Sequence, residues 1–219
     1  MALSLRRGGA SLGAAVAFAL GNPTLNIAVL VWLVFALGWQ WAALRLGFGI
    51  ILVLGAAALA TRVRAPALAL GDAEEVPLAR EGAPSHWALR WVRSLVRFSV
   101  QLVPLMVVLV LLMGGARAWL FPAVGADWGN SWIAVVGLAF AGALFPIPTG
   151  GEIPILQSMM GYGLGPAPAA ALLMTLAPTN LASMGMMTHA FSLRVVGVIA
   201  GVTVAVGIAA AIVAGSLAL

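Results

Sequence analysis

Glu152 is the one acidic residue in a stretch apolar enough to lie inside a membrane, in the run Phe145-Pro146-Ile147-Pro148-Thr149-Gly150-Gly151-Glu152-Ile153-Pro154. A carboxylate taken out of water must be paired, protonated or open to a water-filled cavity, and ionisable groups at membrane depth mark solute and ion pathways. Proton coupling and cation binding are its expected roles. The plainer alternative is a carboxylate that caps free amides at a helix start, where the dipole also favours it. Prolines and glycines rule out a regular helix through this run, so it reads as a re-entrant turn with a short helix over residues 153–160.

Two further motifs carry polar groups into apolar surroundings: Gly21-Asn22-Pro23-Thr24-Leu25-Asn26 and Ala177-Pro178-Thr179-Asn180. Proline removes an amide donor and disfavours helix in the residue before it, so Gly21-Asn22-Pro23 and Pro178-Thr179-Asn180 are expected to interrupt their helices near mid-membrane. Irregular backbone at that depth is tolerated where it is buried in protein or lines a polar cavity. The alternative is a proline kink whose Asn groups satisfy neighbouring backbone. Each motif follows a Gly-rich start and an alanine-rich stretch, Gly9-Ala10-Ser11-Leu12-Gly13 in one and Gly163-Leu164-Gly165-Pro166 in the other, which reads as an internal repeat. The expected solute site gathers Asn22, Pro23, Asn26, Thr149, Gly150, Gly151, Glu152, Pro178, Thr179 and Asn180 near the bilayer midplane.

Other candidates point less firmly to chemistry. Met159, Met160, Met174, Met184, Met186 and Met187 could bind a soft ion, but thioethers also fill irregular gaps, which is the expectation here. His189 could relay protons or form an interfacial hydrogen bond. Arg45 is expected to snorkel to the outer interface. His86, Trp87 and Trp91 suggest a short helix over residues 85–96 lying on the membrane surface. No Walker A loop, HExxH or serine elbow is present, so neither an enzyme nor a cofactor is expected, and ATP-driven pumping would need another chain.

The elements that must position these residues follow from composition. Hydrophobic residues make up 63% of the 219-residue chain, charged residues 8%, and the mean hydropathy is +1.11, against about 25% charged in a soluble domain. Apolar runs at residues 26–37, 41–60, 98–113, 132–145 and 195–213 do not alternate as barrel strands do, and several approach the roughly 20 residues of a bilayer span. The expected fold is an all-α polytopic membrane helical bundle with inverted repeats, broken helices and a re-entrant segment. A net charge of +5 and a pI near 11.6 reflect arginines at helix ends and in one loop, so the partners are membrane lipids and a small solute, with no nucleic acid. There are no cysteines, which excludes disulfides and thiolate metal sites.

Arg62, Arg64, Arg80, Arg90, Arg93 and Arg97 place residues 61–97 as a cytoplasmic loop. It divides a first half-repeat, residues 1–60, from a second, residues 98–219. The trace is a broken span over 10–37, a return over 41–60, an outward span over 98–117, outer interfacial Trp119, Trp128 and Trp132, the re-entrant run, a second broken span over 164–189 and a final helix over 195–216. The two copies then run in opposite directions, and the protein is multi-pass in the inner membrane. Arg6-Arg7 ahead of an apolar stretch could instead be a cleaved signal, at the cost of half the repeat.

Residues 4–15 through Asn26 resemble the first broken helix of the predicted permeases of the ArsP and YraQ type, a family that includes organoarsenical exporters. Residues 146–154 and 163–180 resemble its second-half counterpart. The resemblance implies a permease fold of two related halves with a transport path between them, serving secondary transport or efflux of a small polar or ionic solute. A non-transporting membrane subunit that scaffolds a larger complex is the alternative. The family's leading helices and cysteine-bearing turn have no counterpart before Ser4, so a shortened member is expected, as a homo-oligomer or with a separate chain supplying that part. Thr149-Gly150-Gly151-Glu152 stands where a second-half cysteine often falls, which argues against a thiolate-held arsenical.

Overall fold

The computed structural model describes residues 5, 6, 8–63, 91–93, 96, 100, 131–147 and 149–217. The loop expected at 61–97 with its surface helix, the span expected at 98–117, and Trp119 and Trp128 fall almost wholly outside the described residues. The chain divides into two units, Met1–Ala69 with Val124–Leu219, and Leu70–Ala123; everything below concerns the first.

The described residues form helices and no strand, and the chain is an all-α membrane helical bundle. Among the described residues, three segments are long and apolar enough to cross a membrane: Leu12–Leu37, Trp39–Arg62 and Leu193–Leu217.

Helix α1 (Leu12–Thr24) starts on Ser11, whose side chain accepts the Ala14 N–H, and α2 (Ile27–Leu37) starts on Asn26, whose side-chain oxygen accepts from Ala28 and Val29. The interruption expected at Gly21-Asn22-Pro23 therefore falls later. Pro23 lies inside α1 and the helix ends at Thr24, with the Leu25 N–H donating to the Gly21 carbonyl. The proline φ is itself helical, so the turn that contains it can be completed before the chain breaks. A helix end leaves its last carbonyls without amide partners, and here those include Pro23 and Thr24. Gly38, at φ +103°, then turns α2 directly into α3 (Trp39–Arg62). Positive φ is the reason a glycine stands there.

The second half opens with α4 (Trp132–Leu144). Residues 145–147 and 149–151 are not α-helical, and α5 (Glu152–Gly161) follows. Helix α6 (Pro166–Leu176) begins with proline at its first position, where the missing N–H costs nothing. It is buried from Ala167 to Leu176 without interruption, as a helix apolar on all sides requires. A break at Ala177-Pro178-Thr179 leads to α7 (Leu181–Met187), capped by a reciprocal pair in which Asn180 accepts the Ser183 N–H and Ser183 accepts the Asn180 N–H. Helix α8 (Leu193–Leu217) completes the chain. The order of helix, break, Asn-capped helix and long helix thus occurs twice, in α1–α3 and in α6–α8.

Helix α6 packs against α4 and α8, and α1 against α3. Small residues allow the close approach: a Cβ on Gly207 of α8 would lie 2.7 Å from Thr175 Cγ2 of α6, and one on Gly142 of α4 would collide with the hydroxyl of the same threonine. Membrane helices gain association energy from such contact because no hydrophobic drive separates them from lipid. Ala15, Val16 and Leu20 of α1, Val53, Ala56 and Ala60 of α3, and Val195, Val196 and Ile199 of α8 form one continuous core. The methionines are scattered, Met174 buried and Met186 exposed, and His189 is exposed.

Candidate functional site

Arg45 does not snorkel. It lies on α3 about 9 Å of helix rise beyond Trp39, is 1% exposed, and its Nη1 stands 2.7 Å from Glu152 Oε1, itself on a side chain 1% exposed. The snorkelling expectation fails because a nearer set of acceptors exists. Arg45 Nε donates to the Thr24 carbonyl at 3.1 Å, and Nη2 donates to the Pro23 carbonyl at 3.0 Å. These are two of the carbonyls left free at the end of α1. The first broken helix thus supplies the oxygens that fix the guanidinium.

Glu152 is the first residue of α5, and its second oxygen accepts the Gly150 N–H at 2.7 Å. The carboxylate therefore both pairs with Arg45 and satisfies an amide ahead of the helix. Charge is balanced, but alignment is incomplete: neither Arg45 Nη1 nor Glu152 Oε1 has a hydrogen bond of good geometry. Gly150 takes φ +94° and lies beneath Trp32 of α2, where a Cβ would come within 3.2 Å of the ring. Gln157 Nε2 donates to the Ala36 carbonyl at 3.0 Å. Residues 150–157 are thereby fastened to the ends of both α1 and α2, directly or through Arg45.

Threonines separate into two kinds. Thr175 and Thr203, in helix interiors, donate to the carbonyls of Ala171 and Ile199, each at 2.9 Å, the usual recourse of a buried hydroxyl in a helix. Thr24 and Thr179 each follow the proline of a break, are 1% and 0% exposed, and have hydroxyl oxygens with no hydrogen-bond partner among the described residues. Leaving such a group unmet costs about 1–3 kcal/mol, so a buried polar group of this kind calls for an explanation.

Of the expected site residues, Pro23, Gly150 and Glu152 are joined through Arg45. Asn22 is exposed on α1 and Thr149 is exposed beside Gly150, while Gly151 is half-buried next to Glu152. Asn26 and Asn180 serve as helix caps, both half-buried, and Pro178 and Thr179 are buried. No hydrogen bond or ion pair among the described residues links Pro178, Thr179 or Asn180 to the Arg45 cluster. Arg45 and Thr24 are additions that sequence reading passed over. The signal for Arg45 was charge balance, since a lone cation inside an apolar run and a lone anion inside another have each other as their cheapest partner. The signal for Thr24 was the shared Pro-Thr pair of the two breaks.

A family model described as a predicted permease of the ArsP type matches residues 1–216. The UPF0718 protein YraQ of Escherichia coli (strain K12) is 42% identical over 221 residues, an alignment that covers 100% of this chain and 62% of that protein. The chain thus spans about three fifths of the length of this relative. No solved structure matches.

Proposed function

The chain belongs to the predicted permease family, and from that premise we propose that it moves a small polar or ionic solute across the inner membrane by secondary transport, as a multi-pass protein whose path runs past the Arg45–Glu152 pair. One observation carries this reading: a fully buried ion pair joins the end of a broken helix to the start of the helix after the Pro- and Gly-rich run. Hydrophobic replacements of similar volume are often as stable as such a pair or more so. A purely structural role is therefore a weak reason for one in an apolar bundle.

Two arrangements of the pair, joined and parted, supply the two states that alternating access needs. The repeated order of breaks and capped helices supports two halves related by inversion, with residues 145–151 as the re-entrant turn between α4 and α5. The unmet hydroxyls of Thr24 and Thr179 offer solute contacts, one at each break, and Glu152 is the group through which a proton gradient would act.

The test is uptake and efflux of small anions, cations and neutral polar solutes in reconstituted vesicles, with and without a pH gradient, comparing the natural chain with Glu152→Gln. Solute movement that needs Glu152 supports the proposal. A folded protein that moves nothing would instead favour a scaffolding subunit.

A further inference from the structure

The two charges of the buried pair are held very differently. Arg45 projects from within the 24-residue helix α3 and is clamped by the carbonyls of Pro23 and Thr24 at 3.0 and 3.1 Å. Glu152 begins a 10-residue helix and follows Gly150, at φ +94°, and Gly151, where glycine gives the backbone its widest choice of conformation. Beyond the pair itself, the cation is held by two carbonyls of another helix and the carboxylate by a single amide two residues away, so the carboxylate is the less strongly held member. A solute that exchanges with a member of this pair exchanges with the carboxylate, and so must resemble it.

The donors around the carboxylate suit an oxyanion. Arg45 Nη1 faces Glu152 Oε1 without a well-aligned hydrogen bond, and the Gly150 N–H donates to Oε2 at 2.7 Å. Thr24 adjoins the guanidinium and carries a further hydroxyl. Its carbonyl already receives Arg45 Nε, and its methyl is pressed on α3, where a Cβ on Gly49 would lie 2.9 Å from Thr24 Cγ2. Arg45 and Gly49 are four residues apart and share a helix face, so Thr24 sits over that face, next to the guanidinium. The Thr24 hydroxyl is buried and unpartnered. Guanidinium, backbone amide and hydroxyl together can bind the several oxygens of a small anion.

We propose that Arg45, Thr24 and the Gly150 amide form a binding site for a small oxyanion of the carboxylate or phosphate kind, for which the Glu152 side chain is the built-in competitor. This names the solute class of the path described above and rests on that reading for its transport role. Binding itself is separately measurable.

The experiment is anion binding to the full chain in detergent, read by thermal stabilisation and by calorimetry with sodium acetate and sodium phosphate, with sodium chloride and choline chloride as controls. Removing the competitor in Glu152→Gln should tighten acetate or phosphate binding at least about tenfold, and adding Arg45→Gln to it should abolish the response. Thr24→Val should weaken binding by roughly 2- to 12-fold, the range expected for one lost hydrogen bond. Equal responses in Glu152→Gln and the double variant, or a response to salt regardless of the anion, would overturn the site. If Glu152→Gln fails to fold, the natural chain and Thr24→Val decide: an affinity for acetate and phosphate unchanged by Thr24→Val overturns the proposal, and weakening supports it. Vesicle transport confined to neutral or cationic solutes would leave the permease reading standing and remove the anion class. Anion binding without transport would do the reverse.

Discussion

Arg45 and Glu152 meet at 2.7 Å with both side chains 1% exposed, and the geometry that brings them together originates in a helix end. The carbonyls of Pro23 and Thr24 have no amide to receive because α1 stops at Thr24, and the Arg45 guanidinium takes both. The same guanidinium then offers its remaining edge to the carboxylate. A break in one helix, a cation in the next and an anion after the Gly-Gly turn form a single electrostatic unit.

Its energetic coupling is testable by a double-mutant cycle. Removing one member leaves an uncompensated charge in an apolar interior, at a cost of about 3–5 kcal/mol. Arg45→Met and Glu152→Gln should each lower stability on that scale in denaturant titrations of the purified protein, and the double variant should lose far less than both combined. Strict additivity would mean that the pair does not act as one unit.

Thr24→Val and Thr179→Val should leave stability within about 0.5 kcal/mol of the natural chain or raise it, because an unmet buried hydroxyl gives nothing up when replaced by a methyl of similar shape. Transport should fall nonetheless. Thermal unfolding alongside vesicle flux separates these effects; a marked loss of stability would show that these hydroxyls already have protein partners.

Close packing around Thr175 makes a different forecast. Gly207→Val and Gly142→Val insert methyl groups where α6 already touches α8 and α4, and should destabilise by about 1–3 kcal/mol through overpacking. Gly201→Ala, with nothing within 4 Å of its added Cβ, should be neutral or stabilising by up to about 1 kcal/mol. Melting temperatures of the three variants check the order.

Gly150→Ala combines a φ of +94° with a Cβ held 3.2 Å from the Trp32 ring. It should displace residues 150–152 and loosen the ion pair. Trp32 fluorescence and the rate of proteolysis report that movement, and an unchanged protein would show that this turn does not set the position of Glu152.

The helical class and the two broken segments were legible because apolar runs and prolines act locally. Glu152 was legible as an isolated carboxylate, and a helix starting beside it was read one residue late, at Ile153 rather than Glu152. The first break was placed at Asn22-Pro23 rather than after Thr24, since proline constrains the residue before it yet does not fix where the last turn finishes. Asn26 and Asn180 were read as solute ligands with backbone satisfaction as the alternative, and their side-chain oxygens do cap α2 and α7. Arg45 escaped because its partner lies in the other half of the chain, and pairing between distant charges depends on helix packing that no local pattern encodes.

The most direct measurement of the central claim is solute flux in vesicles carrying Arg45→Gln or Glu152→Gln, each verified as folded, against the natural chain. Loss of flux by at least about tenfold in both, with the same solute affected, is the result the buried pair predicts. Flux at the natural rate in either folded variant would contradict it, and would reduce the pair to a structural tie between the broken helix and α5.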